Sequence, residues 1–424
     1  MNKQQLKDII LDQIEIYLNQ EYVKREYELD INVNYCFVGI RRCGKSYLMY
    51  QLAHEMMESG IDQDQIVYVN FEDERLLEFT SDDFNTILEI AIEFAGEKGQ
   101  PYLFLDEIQN ISGWEKFARR LADMKYPVNI TGSNSKMLSS EMASTLGGRF
   151  MIVDVYPYSF SEYLDANGED KRKIGKTTKG RAEVSARFES YLKYGAFPEL
   201  VNISSKKMYL NSIYQTIYLG DIITRNKLDN SFALRLILKK ISESVMKPVS
   251  YSRLHSIAKS SGADIGKQTV INYVNHSMDA LLIFQIQNYA AKLVEKETSP
   301  KYYFMDTGLL GLYGAENASS AQLENLAAIE LLRRFGKDNV FYFEKNIEVD
   351  FYVPEEALAI QVCYVLNSDI STFERETSAL VKLKSHFTDA KCLILTMSEE
   401  SDIEVDGVNI KVMPMWKWLI EKEK

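Results

Sequence analysis

Cysteine, histidine, tryptophan and proline are all scarce, with four, four, three and eight residues in a chain of 424. Cys36, Cys43, Cys363 and Cys392 form no C-x-x-C pair and are too scattered for a disulfide framework or a Cys-rich zinc site, which fits a reducing cytoplasm. His54, His255, His276 and His386 are equally dispersed and suggest no metal cluster. Long apolar runs are missing too. The densest, such as Ala280 to Phe284, fall far short of the roughly 18 residues that cross a bilayer, so no integral membrane protein is expected. The amino terminus, MNKQQLKDIILDQIEIYLNQEY, breaks its apolar positions with charges; it lacks the core of a signal peptide and reads as an amphipathic helix. Positive charge is also in deficit. Lys plus Arg number 49 against 61 Asp plus Glu, a net of −12, so any nucleic-acid contact must come from a local basic patch.

What is present is a globular balance, 46% apolar and 26% charged, in a length that suggests two or three domains at about 150 residues each. From Asn32 to Val153, apolar runs (VNYCFVG, QIVYVNFED, PYLFLDE, VNITGS) alternate with helical patterns, among them Lys45 to Met57 and Phe84 to Phe94. This alternation marks β-α-β units on a parallel sheet. After Tyr156 the apolar spacing turns helical, as for a lid or linker, and KRKIGKTTKGR (171–181) reads as an exposed basic loop. Residues 231–300 give helix, helix, a Gly-containing turn, helix and the apolar IFQIQNY, the order of a winged helix-turn-helix. From Lys301 onward a second α/β alternation follows, with helices expected from Leu323 to Phe335 and near Ser378 to Ser385. The expected domains are therefore 1–155, 156–230, 231–300 and 301–424.

Gly39-Ile40-Arg41-Arg42-Cys43-Gly44-Lys45-Ser46 satisfies G-x-x-x-x-G-K-[ST] between an apolar strand and a helix that continues with Tyr47. In such a loop backbone N–H groups turn onto phosphate oxygens, Lys45 meets the β and γ phosphates, and the Ser46 hydroxyl joins a Mg²⁺ shell. Tyr102-Leu-Phe-Leu-Asp106-Glu107 places two carboxylates at the end of a buried strand. Asp106 would hold Mg²⁺, and Glu107 would orient or deprotonate the attacking water. Ile130-Thr131-Gly132-Ser133-Asn134 ends the next strand, where Ser133 or Asn134 is either a γ-phosphate sensor or part of a plain turn.

GIRRCGKSYLMYQL, LDEIQN followed by WEKF, TGSNSKML, GGRF and VYPYSFSEYL resemble, block after block, the AAA-type ATPases that carry a carboxy-terminal domain of unknown function 4143. YLKYGAFPELV, KYYFMDTGLLG and EVDFYV are similar to later motifs of that family, so the resemblance covers nearly the whole chain. It implies ATP as the nucleotide. By position it makes Arg149 of the Gly148-Arg149 pair either an arginine finger or sensor, or else a structural arginine. Asn226-Lys227-Leu228-Asp229 matches the guanine-selecting N-K-x-D, but follows a helical segment far beyond the nucleotide sheet and is taken as coincidence.

Residues 231–300 hold nine basic and five acidic residues, a reversal of the chain's sign. Arg253, Lys259, Lys267, Gln268 and Asn272 are the candidate contacts to double-stranded DNA, the alternative being a module used only for protein contacts. In the last segment Glu324, Asp350 and Gln361 resemble a restriction-endonuclease-like core, but Cys363 stands where its lysine belongs and Gln361 replaces an acid. With 13 basic and 21 acidic residues, this segment reads as a degenerate nuclease-like domain whose site is vestigial.

The expected fold is α/β: a P-loop NTPase parallel sheet with a helical lid, then a winged helix-turn-helix, then a restriction-endonuclease-like α/β domain. The expected function is a cytoplasmic, Mg²⁺-dependent ATPase in which ATP repositions the other modules, with an unknown protein partner and the oligomeric state left open. The alternatives are an ATP-gated DNA nuclease and a regulator that binds nucleotide without hydrolysing it.

Overall fold

The run Tyr35–Val38 carries no charge on either face, so it suits a strand covered on both sides; it forms β1 and all four residues are buried. The computed structural model describes residues 1–134, 144–171, 174, 177–292, 296, 298–314 and 318–421. Two compact units divide the chain, 1–157 and 158–424.

In the first unit β2 (Ile66–Asn70), β3 (Tyr102–Asp106), β4 (Val128–Gly132) and β5 (Met151–Asp154) join β1 in a parallel sheet of order β2-β3-β4-β1-β5. Parallel neighbours require crossovers, and helices supply them. Helix α1 (Lys3–Leu18) starts on Asn2, whose side chain accepts from the Gln4 N–H, and buries Leu6, Ile9, Ile10, Gln13 and Tyr17 at helical spacing. After it come α2 (Lys45–Glu58), α3 (Phe84–Ala95) and α4 (Trp114–Asp123). The expected bounds of α2 and α3 are met to within one residue. Because β1, β3 and β4 run parallel as neighbours, the loop after β1 and the carboxyl ends of β3 and β4 open at the same end of the sheet.

The second unit begins with α5 (Phe160–Ala166), α6 (Thr178–Tyr194) and α7 (Lys206–Gln215), the last continuing into a π-helical stretch, Thr216–Thr224. Asn226 closes that stretch by donating from Nδ2 to the Ile222 carbonyl at 2.9 Å, a helix-ending role for the N-K-x-D asparagine. Of the basic loop 171–181, residues 172, 173, 175 and 176 lie outside the described residues. Helices α8 (Ser231–Ser242), α9 (Tyr251–Ser260) and α10 (Lys267–Asp279) then pack on one another and lead into the antiparallel pair β6 (Ile283–Asn288) and β7 (Lys301–Phe304).

The rest of the chain is α11 (Ala318–Phe335), β8 (Phe341–Glu344), β9 (Glu348–Val353), β10 (Leu358–Val362), α12 (Ile370–Lys384), β11 (Lys391–Thr396), β12 (Ser401–Val405), β13 (Val408–Pro414) and α13 (Met415–Ile420). The strands form one mixed sheet of order β12-β13-β11-β10-β9-β8-β6-β7, so β6 and β7 share it with the strands of the expected nuclease-like segment. Helix α12 starts two turns before the expected Ser378, because Asp369 caps it by accepting from the Thr372 N–H at 2.8 Å. All four cysteines are free and buried, and burial pushes the thiols of Cys36 and Cys363 up to about 12.

Candidate functional site

The loop between β1 and α2 is shaped by what cannot fit. A Cβ on Gly39 would meet the Val155 carbonyl oxygen at 2.1 Å and Cys43 Sγ at 2.7 Å, so only glycine lets β5 lie against the loop. Gly44 takes φ +101° and is the N-cap of α2, with no side chain capping the helix. An uncapped helix start presents N–H donors and the positive end of the helix dipole to whatever anion arrives. Arg42 adopts φ +64°, Arg41 donates to Glu72 at 2.6 Å, Ile40 and Cys43 are buried, and Tyr47 is exposed.

Lys45 is almost fully buried. Its Nζ donates to the carbonyls of Gly39 at 3.2 Å and Ile40 at 3.4 Å and lies 3.3 Å from Glu107 Oε1. Burial works against the ammonium, but the Glu107 carboxylate outweighs it and holds the Lys45 pKa above the ordinary lysine value. Glu107 is displaced the opposite way: burial disfavours its charge, and Lys45 with Gln109 overcomes that and lowers its pKa. This pair is therefore ionised at neutral pH. Glu107 also holds a left-handed backbone, φ +52°, unusual for a residue with a side chain, which turns it sharply off the end of β3.

Asp106 accepts from three hydroxyls: Tyr68 at 2.6 Å, Thr131, and Ser46. Burial and the neighbouring Glu107 charge raise its pKa despite these bonds. Thr131 makes a second contact, accepting the Glu107 N–H on its hydroxyl at 2.8 Å, so one side chain of β4 fixes Asp106 and the backbone of Glu107. A hydroxyl already touching a carboxylate is a donor set of hard oxygens, and Ser46 with Asp106 fits a Mg²⁺ ion.

Ser133 is buried and receives a long hydrogen bond, 3.5 Å, from Gln109 Nε2, which also donates to Glu107 Oε2 at 2.5 Å. The polar residue after β4 is thereby linked to Glu107, while Asn134 ends the described part of that loop. Arg149 lies elsewhere: its guanidinium holds Asp123 and, at 2.7 Å, the Gly147 carbonyl. Sequence reasoning missed Arg25, which is buried and donates to the Cys43 carbonyl at 3.1 Å and the Tyr156 carbonyl at 2.8 Å. No motif marks an arginine in an irregular segment between α1 and β1.

In the second unit Arg253, Lys259, Lys267, Gln268 and Asn272 are all exposed, and Gln268 donates to Asn272 at 3.1 Å. Glu324 and Asp350 are brought together with a residue that the pattern did not indicate. Lys301 Nζ, fully buried, is 3.6 Å from each of them and 3.0 Å from Glu348. A lysine absent from the β10 strand, where Cys363 follows Gln361, is thus supplied from β7, more than fifty residues earlier in the chain. Gln361 faces its neighbour strand, accepting the Asp350 N–H at 2.7 Å.

Residues 33–164 match the model of an AAA domain, and residues 185–320 match a domain of unknown function, DUF8612, where the motif resemblance had named domain 4143. The uncharacterized protein MJ1544 of Methanocaldococcus jannaschii is 32% identical, over 97% of this chain and 94% of its own length. An uncharacterized protein of Haemophilus influenzae is 29% identical, over 90% and 93% respectively. Among solved structures, the Aeropyrum pernix ORC1 protein in complex with DNA overlays with a TM-score of 0.30 at 11% identity, covering 78% of this chain and 92% of that one. At that score the overlay is too loose to transfer anything between the two proteins.

Proposed function

This chain belongs to the protein family that includes MJ1544 of Methanocaldococcus jannaschii and carries an AAA domain, and on that premise we propose that it is a Mg²⁺-dependent ATPase. Its γ-phosphate state would reposition a DNA-binding winged helix and a degenerate nuclease-like domain. The observation that carries the reading is the meeting of five residues: Lys45 and Ser46 at the start of α2, Asp106 on β3 with Glu107 just after it, and Thr131 of β4, which bonds the Asp106 carboxylate and the Glu107 N–H.

Each residue has a task. Lys45 exchanges its bonds to the Gly39 and Ile40 carbonyls for phosphate oxygens, and leaving Glu107 frees that carboxylate to accept a proton from water at Oε1. Gln109 holds the other oxygen, Oε2, and so fixes the direction in which Glu107 points. Bound Mg²⁺ would neutralise phosphate charge as it builds up. Ser133 would sense the γ-phosphate through Gln109. Arg149, tied to Asp123, would have to leave that pair to act as an arginine finger, in its own chain or in a neighbouring copy. The exposed Arg253, Lys259 and Lys267 would meet DNA phosphates.

Phosphate release from ATP and GTP in Mg²⁺, with and without duplex DNA, tests the proposal. Glu107→Gln should cut ATP turnover by about 10²- to 10⁴-fold while leaving ATP binding intact. Equal rates in wild type and Glu107→Gln would remove the hydrolytic reading. Stimulation by DNA would support the coupling, and indifference to DNA would count against it.

A further inference from the structure

Strand β2 is buried and apolar at Ile66, Val67 and Val69, yet carries a tyrosine at position 68. A phenol brings a polar atom into the core, and a buried hydroxyl needs a partner. The register of the sheet supplies one. Tyr68 stands opposite Phe104 of β3, and Asp106 lies two residues further along on the same face, a diagonal that a long side chain can span. The Tyr68 hydroxyl donates to Asp106 Oδ2 at 2.6 Å, while Thr131 donates to Oδ1 from the strand on the other side. The carboxylate is gripped from both neighbouring strands, one oxygen each.

Aromatic packing fixes the donor. The Tyr68 ring is stacked on Tyr17 of α1, with centroids 4.0 Å apart and planes inclined by 15°. Tyr50 of α2 meets both rings edge-on, 4.3 Å from Tyr17 and 6.0 Å from Tyr68. One turn earlier on α1, Gln13 clasps the end of β2, accepting the Asn70 N–H at 2.9 Å and donating to Asp73 at 2.8 Å. Burial and the Asp106 charge hold the Tyr68 phenol well above its ordinary pKa, so it stays a donor. Tyr17 differs in this respect, because its own hydroxyl is buried and makes no hydrogen bond to the described residues.

We propose that Tyr68 is a positioning residue of the ATPase: braced by α1 and α2, its hydroxyl fixes one oxygen of Asp106, so that the carboxylate meets the Mg²⁺ of the incoming nucleotide in a single orientation. The inference rests on the ATPase reading of Lys45, Ser46, Asp106 and Glu107, and adds to it a residue that no motif marks. Without the Tyr68 hydroxyl, Asp106 keeps Thr131 as its one tether from a neighbouring strand and can pivot about it. Partners that orient a ligand in this way commonly contribute tenfold or more to ion affinity.

The test is calorimetric titration of ATP into the full chain, once in Mg²⁺ and once in EDTA, with phosphate release followed against Mg²⁺ concentration. Tyr68→Phe keeps the ring and its stacking on Tyr17 and removes only the hydroxyl. Its ATP affinity in EDTA should equal that of wild type, its affinity in Mg²⁺ should fall about tenfold, and half-maximal phosphate release should need about tenfold more Mg²⁺. Tyr17→Phe, the same change on the stacked partner, should alter none of the three. Wild-type affinity of Tyr68→Phe in Mg²⁺ overturns the role. So does a loss of equal size in EDTA, or an equal Mg²⁺-specific loss in Tyr17→Phe, since either would mean general loosening of the aromatic cluster. Wild type separates this inference from the reading beneath it. Mg²⁺-dependent ATP binding without phosphate release removes hydrolysis and leaves Tyr68 to be judged on affinity, whereas wild-type affinity indifferent to Mg²⁺ removes the ion site and the role of Tyr68 with it.

Discussion

Thr131 does two jobs with one hydroxyl, donating to Asp106 and accepting from the Glu107 N–H, and it has no exposed surface. Thr131→Val keeps the shape but leaves a buried N–H unsatisfied, which costs about 1–3 kcal/mol. Chemical denaturation should show that loss in the first unit. ATP hydrolysis should fall with it, since the Asp106 carboxylate and the Glu107 backbone lose their common anchor. Glu324 gives a prediction of opposite character. Its folded pKa is about 8, far above the ordinary glutamate value, so between roughly pH 4.5 and 8 the folded protein binds a proton that the unfolded chain has released. Its contribution to stability therefore declines as pH rises through that window. Glu324→Gln cannot ionise, so thermal melting followed from pH 5 to 9 should fall less steeply in the variant. A variant profile parallel to wild type would contradict the assignment.

At the scale of elements, the loop between β1 and α2 is held from behind as well as from within. Arg25 ties the Cys43 carbonyl to the Tyr156 carbonyl, joining the phosphate loop to the segment after β5. Arg25→Met keeps much of the apolar stem and removes the charge-assisted bonds, so ATP affinity should fall about tenfold, measured by calorimetry, with the rate at saturating ATP less affected. This clamp was not legible in the sequence, whereas the loop itself was, because a glycine-bounded motif declares its own backbone geometry and Arg25 reaches its carbonyls only after folding. The same contrast runs through the second unit. Glu324 and Asp350 could be singled out from their local patterns, but Lys301 joins them only through the sheet order that sets β7 in the same sheet as β9. Strands β12 and β13 were missed although their signal was present: Asp406-Gly407, both at positive φ, is a two-residue hairpin turn between alternating residues. The start of α12 was missed for a different reason, since its early turns, ISTFERE, carry few apolar positions and are set by the Asp369 cap.

For the whole molecule, net charge and local charge oppose each other. A chain of −12 repels DNA at long range, while the exposed Arg253, Lys259 and Lys267 offer a short-range exception. Replacing all three by glutamine should leave the melting temperature unchanged, because none is buried. It should weaken any duplex binding and lower its salt slope by about 0.9 for each DNA phosphate that is no longer neutralised. Binding with an unchanged salt slope would move the interface elsewhere.

The burial of all four cysteines has a practical side. Thiols pushed upward by burial and closed to solvent leave a maleimide little to react with at neutral pH, so the natural chain is a dark background for dye labelling. Leu77 in the first unit and Met208 in the second are 85% and 70% exposed. Leu77→Cys with Met208→Cys would carry a donor and an acceptor, and the change in energy transfer between ATP and ADP would report directly whether the nucleotide moves one unit against the other.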